Sequence, residues 1–183
     1  MRSPRIFFIT GQQGEGKTTM LIRIVDQLVE EGVPVSGFVA EGEWHEGVRK
    51  AFRIRDLGSG ERRLLCSTEA VAGSERLGRF YFVNEAVRYG NELLKRPSGG
   101  KVIVIDEVGK FELEGKVWAE RFAELVSRQD CVLLISVRDQ FMDEIVGKFG
   151  INDFQRYPCT ANSKQVAGIV RKAMQGQTGN AFK

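Results

Sequence analysis

The sequence predicts an α/β fold in which a mainly parallel sheet, covered by helices, carries a small antiparallel β insertion. Two observations favour this class. Apolar runs typical of strands alternate with amphipathic stretches typical of helices, and residues 41–83 contain short strand-like runs joined by glycine-containing turns. The chain has 183 residues, 42% of them hydrophobic and 28% charged, which suits one domain of ordinary size. We expect this single domain to span residues 1–174 and residues 175–183 to form a loose C-terminal tail.

The individual elements follow from two hydrophobic periods. Apolar runs and alternating patterns predict strands over residues 5–10, 35–40, 52–55, 62–66, 78–83, 101–106, 132–137 and 154–159. Helical spacing of apolar residues predicts helices over residues 20–29, 84–96, 118–126, 141–149 and 166–174. We expect Gly32 to cap the first helix and residues 97–100 to form a loop after the second.

Composition excludes several classes of protein. The 27 Lys and Arg residues nearly balance 24 Asp and Glu residues, so a nucleic-acid partner is not expected. Three cysteines without a C-x-x-C pair are typical of thiols in a reducing compartment. The apolar run at residues 6–9 is too short for a signal peptide, and no run approaches the roughly 20 residues that span a bilayer. These features predict a cytoplasmic protein with no membrane partner, which we expect to be a monomer.

Residues 11–19, GQQGEGKTT, match the phosphate-loop pattern G-x-x-x-x-G-K-[ST] in full. Its glycines let consecutive backbone N–H groups point at phosphate oxygens, and the dipole of the following helix favours the same anion. Lys17 would reach the β- and γ-phosphates, and the Thr18 hydroxyl would coordinate Mg²⁺. The predicted nucleotide-binding residues of this loop are Gly11, Gln12, Gln13, Gly14, Glu15, Gly16, Lys17, Thr18 and Thr19.

Two carboxylates, Asp106 and Glu107, follow the apolar run at residues 102–105. In phosphate-loop proteins an apolar strand beside the loop ends in an aspartate that holds Mg²⁺, and we assign this role to Asp106. A carboxylate at the next position can orient and deprotonate a water in line with the γ-phosphate. Glu107 is therefore the predicted catalytic base, acting with Lys17. In the alternative interpretation, both carboxylates are only polar residues at the end of a strand.

These motifs resemble a known family. Residues 11–19, 35–38 and 102–113 together resemble the small nucleoside-triphosphatases of archaea and bacteria, represented in vertebrates by the cancer-related nucleoside triphosphatase. The stretch DEVGKFEL, at residues 106–113, matches D-E-x-G-K-hydrophobic-E-L and is much more specific than the phosphate loop alone. The resemblance covers about residues 5–172. It implies a P-loop, RecA-like three-layer sandwich and Mg²⁺-dependent hydrolysis of nucleoside triphosphates, ATP, GTP and CTP among them, to diphosphate and phosphate.

The resemblance also implies residues outside these motifs. Ser136 corresponds to a hydroxyl residue that touches the γ-phosphate or its water. Residues 160–164, TANSK, resemble a Thr-x-x-Asn-Arg loop expected near the base, in which Asn162 or Ser163 fills the asparagine position and Lys164 the arginine position. Thr160 and Asn162 are therefore candidate nucleotide-binding residues. Asn162 followed by Gln165 equally predicts an N-terminal helix cap.

The chain departs from the family after residue 38, where the stretch AEGEWH occupies residues 40–45. Base preference is therefore not carried over from the resemblance. Trp44 and His45 either stack on a base or belong to an exposed loop without nucleotide contact. Arg138, just after the strand that contains Ser136, either supplies positive charge to the transferring phosphoryl group or is an ordinary surface arginine.

Two further functions stay open at this point. In an NTP-driven adapter module, the basic stripe at residues 49–55 would be the binding face, although such a stripe is also typical of a solvated edge strand. A nucleotide or small-molecule kinase would need an arginine-bearing lid that excludes water. Arg76 and Arg79 flank a loop but are not spaced like such a lid.

Overall fold

The computed structural model describes residues 5–95 and 101–178. Within these ranges the strands are β1 (Ile6–Gly11), β2 (Val35–His45), β3 (Val48–Asp56), β4 (Arg62–Ser67), β5 (Ser74–Leu77), β6 (Phe80–Val83), β7 (Lys101–Val108), β8 (Cys131–Arg138) and β9 (Gln155–Pro158). The α-helices are α1 (Lys17–Glu30), α2 (Asn84–Lys95), α3 (Lys110–Leu113), α4 (Ala119–Ser127), α5 (Met142–Lys148) and α6 (Ser163–Thr178), and a 3₁₀ turn (Asp139–Phe141) precedes α5.

All nine strands belong to one sheet with the order β5-β6-β4-β3-β2-β7-β8-β1-β9. The strands from β2 to β9 in this order pair in parallel, whereas β3, β4, β6 and β5 pair antiparallel. The antiparallel strands therefore extend the parallel sheet at one edge. This confirms the predicted α/β class with an antiparallel addition.

Alternate residues of the central strands are buried on opposite faces of the sheet. On one face, Phe7 and Ile9 of β1 pack in a core with apolar residues of α1 and α6. On the other face, Ile6 and Phe8 pack in a core with residues of α2, α4 and α5. A strand covered on both faces has no side facing water, which is why residues 6–9 of β1 are a continuous apolar run. The result is the three-layer arrangement expected for the chain.

The first helix ends as the sequence predicts. Gly32 has a φ of +74°, a left-handed conformation that glycine adopts at little steric cost. The N–H of Val33 donates to the carbonyl of Leu28 at 2.8 Å, and that of Gly32 donates to the carbonyl of Val29 at 3.0 Å. This pattern satisfies helix carbonyls that would otherwise lack partners, and it turns the chain toward β2.

Several boundaries differ from the expectations. Residues 40–45 are not a loop, because β2 continues to His45 and pairs antiparallel with β3. The short elements β5 and α3 lie where the sequence predicts no regular structure. The final helix α6 continues to Thr178, so residues 175–178 are helical rather than a loose tail. Residues 179–183 and the expected loop at residues 97–100 lie outside the described residues.

The strand order determines the arrangement around the phosphate loop. The strand β8 lies between β7, which carries Asp106, and β1, which leads into the loop. It pairs in parallel with both. The C-terminal end of β8, with Ser136, therefore stands between the phosphate loop and the acidic pair.

Candidate active site

The phosphate loop connects the end of β1 to the start of α1. Gly14 and Gly16 have φ values of +83° and +97°, in the left-handed region where a side chain is strained. Lys17 begins α1, and its side chain is almost fully buried. The loop residues predicted to bind nucleotide therefore form one turn around the N-terminus of a helix, the arrangement that favours anions.

Contacts within the loop hold its shape. Nζ of Lys17 donates to the carbonyl of Gln12 at 2.9 Å, and the backbone N–H of Gln12 donates to the Glu15 carboxylate at 2.6 Å. Sγ of Cys159, in the turn after β9, donates to the carbonyl of Glu15 at 3.3 Å. A Cβ at Gly11 would lie 2.7 Å from that sulfur, so only glycine fits there without displacement. The turn after β9 is thus packed against the loop.

Asp106 is fully buried at the end of β7 and accepts three hydrogen bonds. Oδ2 accepts from the hydroxyl of Thr18 at 2.8 Å and from the backbone N–H of Ala40 at 3.0 Å. Oδ1 accepts from the hydroxyl of Ser136. Three donors from α1, β2 and β8 therefore fix one carboxylate between the phosphate loop and the sheet.

Burial raises the pKa of Asp106, and the negative charge of Glu107 raises it further, although the three hydrogen bonds oppose this change. A cation would offset the desolvation of such a carboxylate. The Thr18 hydroxyl and the Asp106 carboxylate supply the oxygen ligands that Mg²⁺ prefers. Their oxygens are 2.8 Å apart, so the two side chains fit a shared ion of this kind.

A β-bulge sets the position of Glu107. The pairing of β7 with β8 shifts register between Ile105 and Val108, which leaves Asp106 and Glu107 facing the region of Ser136. Glu107 has a φ of +62°, an uncommon conformation for a residue other than glycine. Its backbone N–H donates to the Ser136 hydroxyl at 2.8 Å. The bulge directs consecutive carboxylates differently: Asp106 is buried, whereas the Glu107 side chain is a quarter exposed.

Arg138 belongs to this cluster rather than to the general surface. Its Nη2 lies 3.6 Å from Oε2 of Glu107, and its Nη1 donates to Oε1 of Gln13 in the phosphate loop at 3.3 Å. The guanidinium therefore links the predicted base to the loop. That Arg138 supplies positive charge to a transferring phosphoryl group stays a prediction.

The candidate residues Thr160 and Asn162 lie between β9 and α6. Asn162 caps α6, since its Oδ1 accepts from the N–H of Gln165 at 3.2 Å and its carbonyl accepts from Val166 at 3.1 Å. Thr160 is exposed in the turn that follows Cys159. Cys159, which precedes both residues in this turn, contacts Glu15 of the phosphate loop. The binding of Thr160 and Asn162 to nucleotide stays a prediction.

Trp44 is exposed at the end of the β2–β3 hairpin. The guanidinium of Arg49 lies 4.6 Å from the centre of its ring. Both side chains line a groove of about 350 Å³ with Gly14, Thr18 and Thr19 of the phosphate loop. The hairpin therefore borders the phosphate loop on the side opposite β9, and a contact of Trp44 with a base stays a prediction.

Two groups near the site could not be found from the sequence. The backbone N–H of Ala40 reaches Asp106, but a main-chain donor leaves no mark in residue type. Arg156 of β9 donates to the Thr10 hydroxyl at 3.1 Å and to the carboxylate of Asp139 at 2.6 Å. Asp139 in turn accepts from the side chain of Gln12 at 3.4 Å, so β9 supports the phosphate loop through a chain of polar contacts.

Two arginines of the basic stripe on β3 are paired with glutamates of β2. Arg53 pairs with Glu43, and Arg55 pairs with Glu41 at 3.0 Å. Arg62 of β4 pairs with Glu41 at 2.8 Å from the other side. These ion pairs are those of an exposed sheet with alternating charge, and they do not favour a nucleic-acid face.

Among the described helices, none combines the length and apolar character needed to cross a bilayer.

The site combines a phosphate loop, which connects the buried strand β1 to α1, with the buried Asp106 of β7, which contacts that loop through Thr18. These features define a P-loop nucleotide-binding protein. The model of a family described as NTPase matches residues 6–170, and the chain belongs to this NTPase family. The nucleoside-triphosphatase THEP1 of Caldivirga maquilingensis is 31% identical over 131 residues, which cover 72% of this chain and 74% of the relative. THEP1 of Archaeoglobus fulgidus is 24% identical over 170 residues, covering 92% and 98%.

Two solved structures share the fold. The solution structure of a human cancer-related nucleoside triphosphatase matches with a TM-score of 0.67 at 23% identity and covers 98% of this chain and 99% of the other. The crystal structure of THEP1 from Aquifex aeolicus matches with a TM-score of 0.68 at 23% identity, covering 91% and 95%. The predicted family resemblance, fold class and enzyme class are thereby confirmed.

Proposed function

We propose that this protein hydrolyses nucleoside 5′-triphosphates to diphosphate and phosphate, with Mg²⁺, and that Glu107 activates the water. One observation carries the proposal. The bulge near the end of β7 separates the two adjacent carboxylates. Asp106 contacts Thr18, whereas the partly exposed Glu107 lies beside Arg138. One carboxylate is thus available to a metal ion and the other to a water.

Each side chain has a distinct part in this mechanism. Lys17 exchanges the carbonyl of Gln12 for phosphate oxygens, since its ammonium is already held inside the loop. Glu107 accepts a proton from the water that attacks the γ-phosphorus. Arg138 lies within reach of both Glu107 and the loop, and it would stabilise negative charge on the transferring phosphoryl group.

Thr18 and Asp106 would hold Mg²⁺ through their side-chain oxygens, which are already in contact. When bound, this ion supplies charge stabilisation for the phosphate oxygens. Ser136 has a positioning part, because its hydroxyl donates to Asp106 and accepts from the N–H of Glu107. It therefore fixes the proposed metal ligand and the proposed base relative to each other.

We expect broad choice among ATP, GTP and CTP. The side-chain carbonyl of Asn162 is used as the helix cap, and Thr160 is exposed, so this loop offers weak discrimination between bases. The relatives named nucleoside-triphosphatase support hydrolysis in general. A monomeric, cytoplasmic enzyme stays our prediction.

The test measures phosphate release from ATP, GTP and CTP with Mg²⁺, in parallel with nucleotide binding. Glu107→Gln should reduce release by about 100-fold or more, the usual scale of a lost general base, while nucleotide binding survives. Lys17→Ala should lose both binding and release. Glu114→Gln is the matched control, because Glu114 is exposed and pairs with Lys116 on the surface. Equal release by wild type and Glu107→Gln would contradict the proposed base.

A further inference from the structure

A cavity of about 400 Å³ lies between the antiparallel strands and the segment that follows β7. Its volume is within the range of sites that bind small molecules. Apolar groups dominate its wall, including Leu65 and Leu77 and six aromatic rings. The rings belong to Phe52, Phe80, Phe82, Phe111, Phe141 and Trp118. Triphosphate, with its charged oxygens, does not suit such a wall.

The polar groups of this cavity include four from the proposed active site. Gln13, Asp106, Glu107 and Arg138 line it together with the aromatic rings. The groove beside the phosphate loop is a separate space, bordered by Gly14 and Lys17 among others, and Glu107 lines both. A molecule in the aromatic cavity could therefore reach Glu107 without occupying the nucleotide groove.

The chemistry of the lining restricts the occupant. Aromatic rings favour another ring in offset or edge-to-face contact. Glu107 and Arg138 lie 3.6 Å apart, and acidic and basic side chains occur together around the cavity. A ligand with a net charge of either sign would therefore meet like charges as well as opposite ones. These side chains are Asp106, Glu107, Glu112, Arg79, Lys110 and Arg138. Glu107 can accept a hydrogen bond from a hydroxyl or an amide N–H. An uncharged molecule of one or two rings with one such donor would pack against the aromatic wall and donate one hydrogen bond to Glu107.

We propose that this cavity binds a small, uncharged aromatic molecule whose hydrogen-bond donor faces Glu107. Such an occupant competes with the water that Glu107 would otherwise hold. Binding to the cavity does not depend on the proposed function. The effect on phosphate release does, because it requires Glu107 to act on water. Binding and phosphate release therefore require separate measurements.

The binding test uses 2-naphthol as the probe and needs no nucleotide. The chain has two tryptophans, so Trp44→Phe leaves Trp118, which lines the cavity, as the reporting fluorophore. We expect saturable quenching of Trp118 by 2-naphthol. Cys66→Phe, which fills the cavity from β4, and Phe111→Ala, which removes part of the wall, should each weaken binding by about tenfold.

The control is Phe149→Ala, since Phe149 packs against Phe122 outside the cavity, and it should bind 2-naphthol like the parent. The control and both cavity variants are first compared for native unfolding cooperativity. Absence of saturable quenching, or equal affinity in correctly folded Phe111→Ala and its parent, would overturn the binding site.

The second measurement is phosphate release with saturating ATP and Mg²⁺. We expect 2-naphthol to lower the rate at constant ATP binding, and 2-methoxynaphthalene, which lacks the donor, to bind about fivefold more weakly. The interpretation depends on Glu107→Gln. If this variant has abolished release, binding of 2-naphthol without any effect on the wild-type rate would contradict an orientation of its hydroxyl toward Glu107. If Glu107→Gln is active, the proposed base has failed instead, and the quenching result alone decides the cavity.

Discussion

The hydroxyl of Thr18 donates a 2.8 Å hydrogen bond to Oδ2 of Asp106, although 88 positions separate the two residues. Thr18 lies in the first turn of α1, and Asp106 is buried in β7. The contact therefore joins the phosphate loop, which follows β1, to β7, a strand that is not adjacent to β1 in the sheet. It brings together two oxygen ligands suited to Mg²⁺.

Replacing the Thr18 hydroxyl tests this pair. Thr18→Val keeps the shape of the side chain but removes an oxygen ligand, so we expect the Mg²⁺ concentration for half-maximal phosphate release to rise by about tenfold or more. Thr18→Ser keeps the hydroxyl and should stay within a few-fold of wild type. A titration of release against Mg²⁺ measures the difference, and removal of Mg²⁺ by a chelator should abolish release in all three proteins. Identical Mg²⁺ curves for the valine and serine variants would exclude Thr18 as a ligand.

The positive φ of Glu107 predicts that a glycine variant at this position is more stable than an alanine variant. A residue with a Cβ in the left-handed region costs about 1 kcal/mol or more relative to glycine. Glu107→Gly should therefore unfold with a free energy about 1 kcal/mol higher than Glu107→Ala. Both variants should lack phosphate release.

The comparison pair for Glu107 is Glu124→Gly and Glu124→Ala, on the exposed face of α4. At a helical position the order reverses, because glycine is less favourable than alanine by up to about 1 kcal/mol. Denaturant unfolding of all four variants gives the two differences. The same sign at both positions would contradict strain at Glu107.

Ser136 is expected to contribute to both stability and turnover. Ser136→Ala removes the donor to buried Asp106 and leaves the N–H of Glu107 without this acceptor. Loss of such contacts costs about 1–3 kcal/mol, and phosphate release should fall because Glu107 is less firmly held. Ser127→Ala, which removes an exposed hydroxyl bound to the carbonyl of Ala123, should change stability by less than about 0.5 kcal/mol. Equal effects of the two substitutions would reject this role of Ser136.

Glu112 predicts a pH-dependent contribution to stability. Burial raises its pKa from 4.5 to about 7, even though the N–H groups of Gly109 and Trp118 donate to it. The folded state therefore binds the proton more tightly than the unfolded state does. This contribution is fully present below about pH 4.5 and is lost as the pH rises to about 7. The loss amounts to a few kcal/mol, since each pKa unit corresponds to about 1.4 kcal/mol.

Glu112→Gln isolates this contribution. Glutamine does not titrate, so position 112 of the variant contributes no pH dependence to the free energy of unfolding. Its amide accepts hydrogen bonds through one oxygen only, which lowers the stability by the same amount at every pH. We expect the free energy of unfolding of wild type, relative to Glu112→Gln, to decrease between pH 4.5 and pH 7. Denaturant titrations across this range provide the measurement. A relative stability that rises with pH would show that the hydrogen bonds outweigh burial.

Much of the fold was predictable because its signals are local. β1 is buried on both faces, and its continuous apolar run shows this directly. The amphipathic spacing of α1 and the cap at Gly32 are likewise properties of short segments. By contrast, β5 has a polar sequence, SERL, and forms only because it pairs with β6. Pairing of this kind depends on distant residues and is not encoded in the segment itself.

The phosphate loop and the acidic pair can be predicted from the sequence alone, because each is a contiguous motif whose chemistry depends on residue type and spacing. Tertiary structure alone decided that β8 separates β7 from β1, that the N–H of Ala40 reaches Asp106, and that a bulge turns Glu107 toward Arg138. These features arise from the register between strands distant in the chain. Register is set by the packing of both sheet faces at once, so no single segment specifies it.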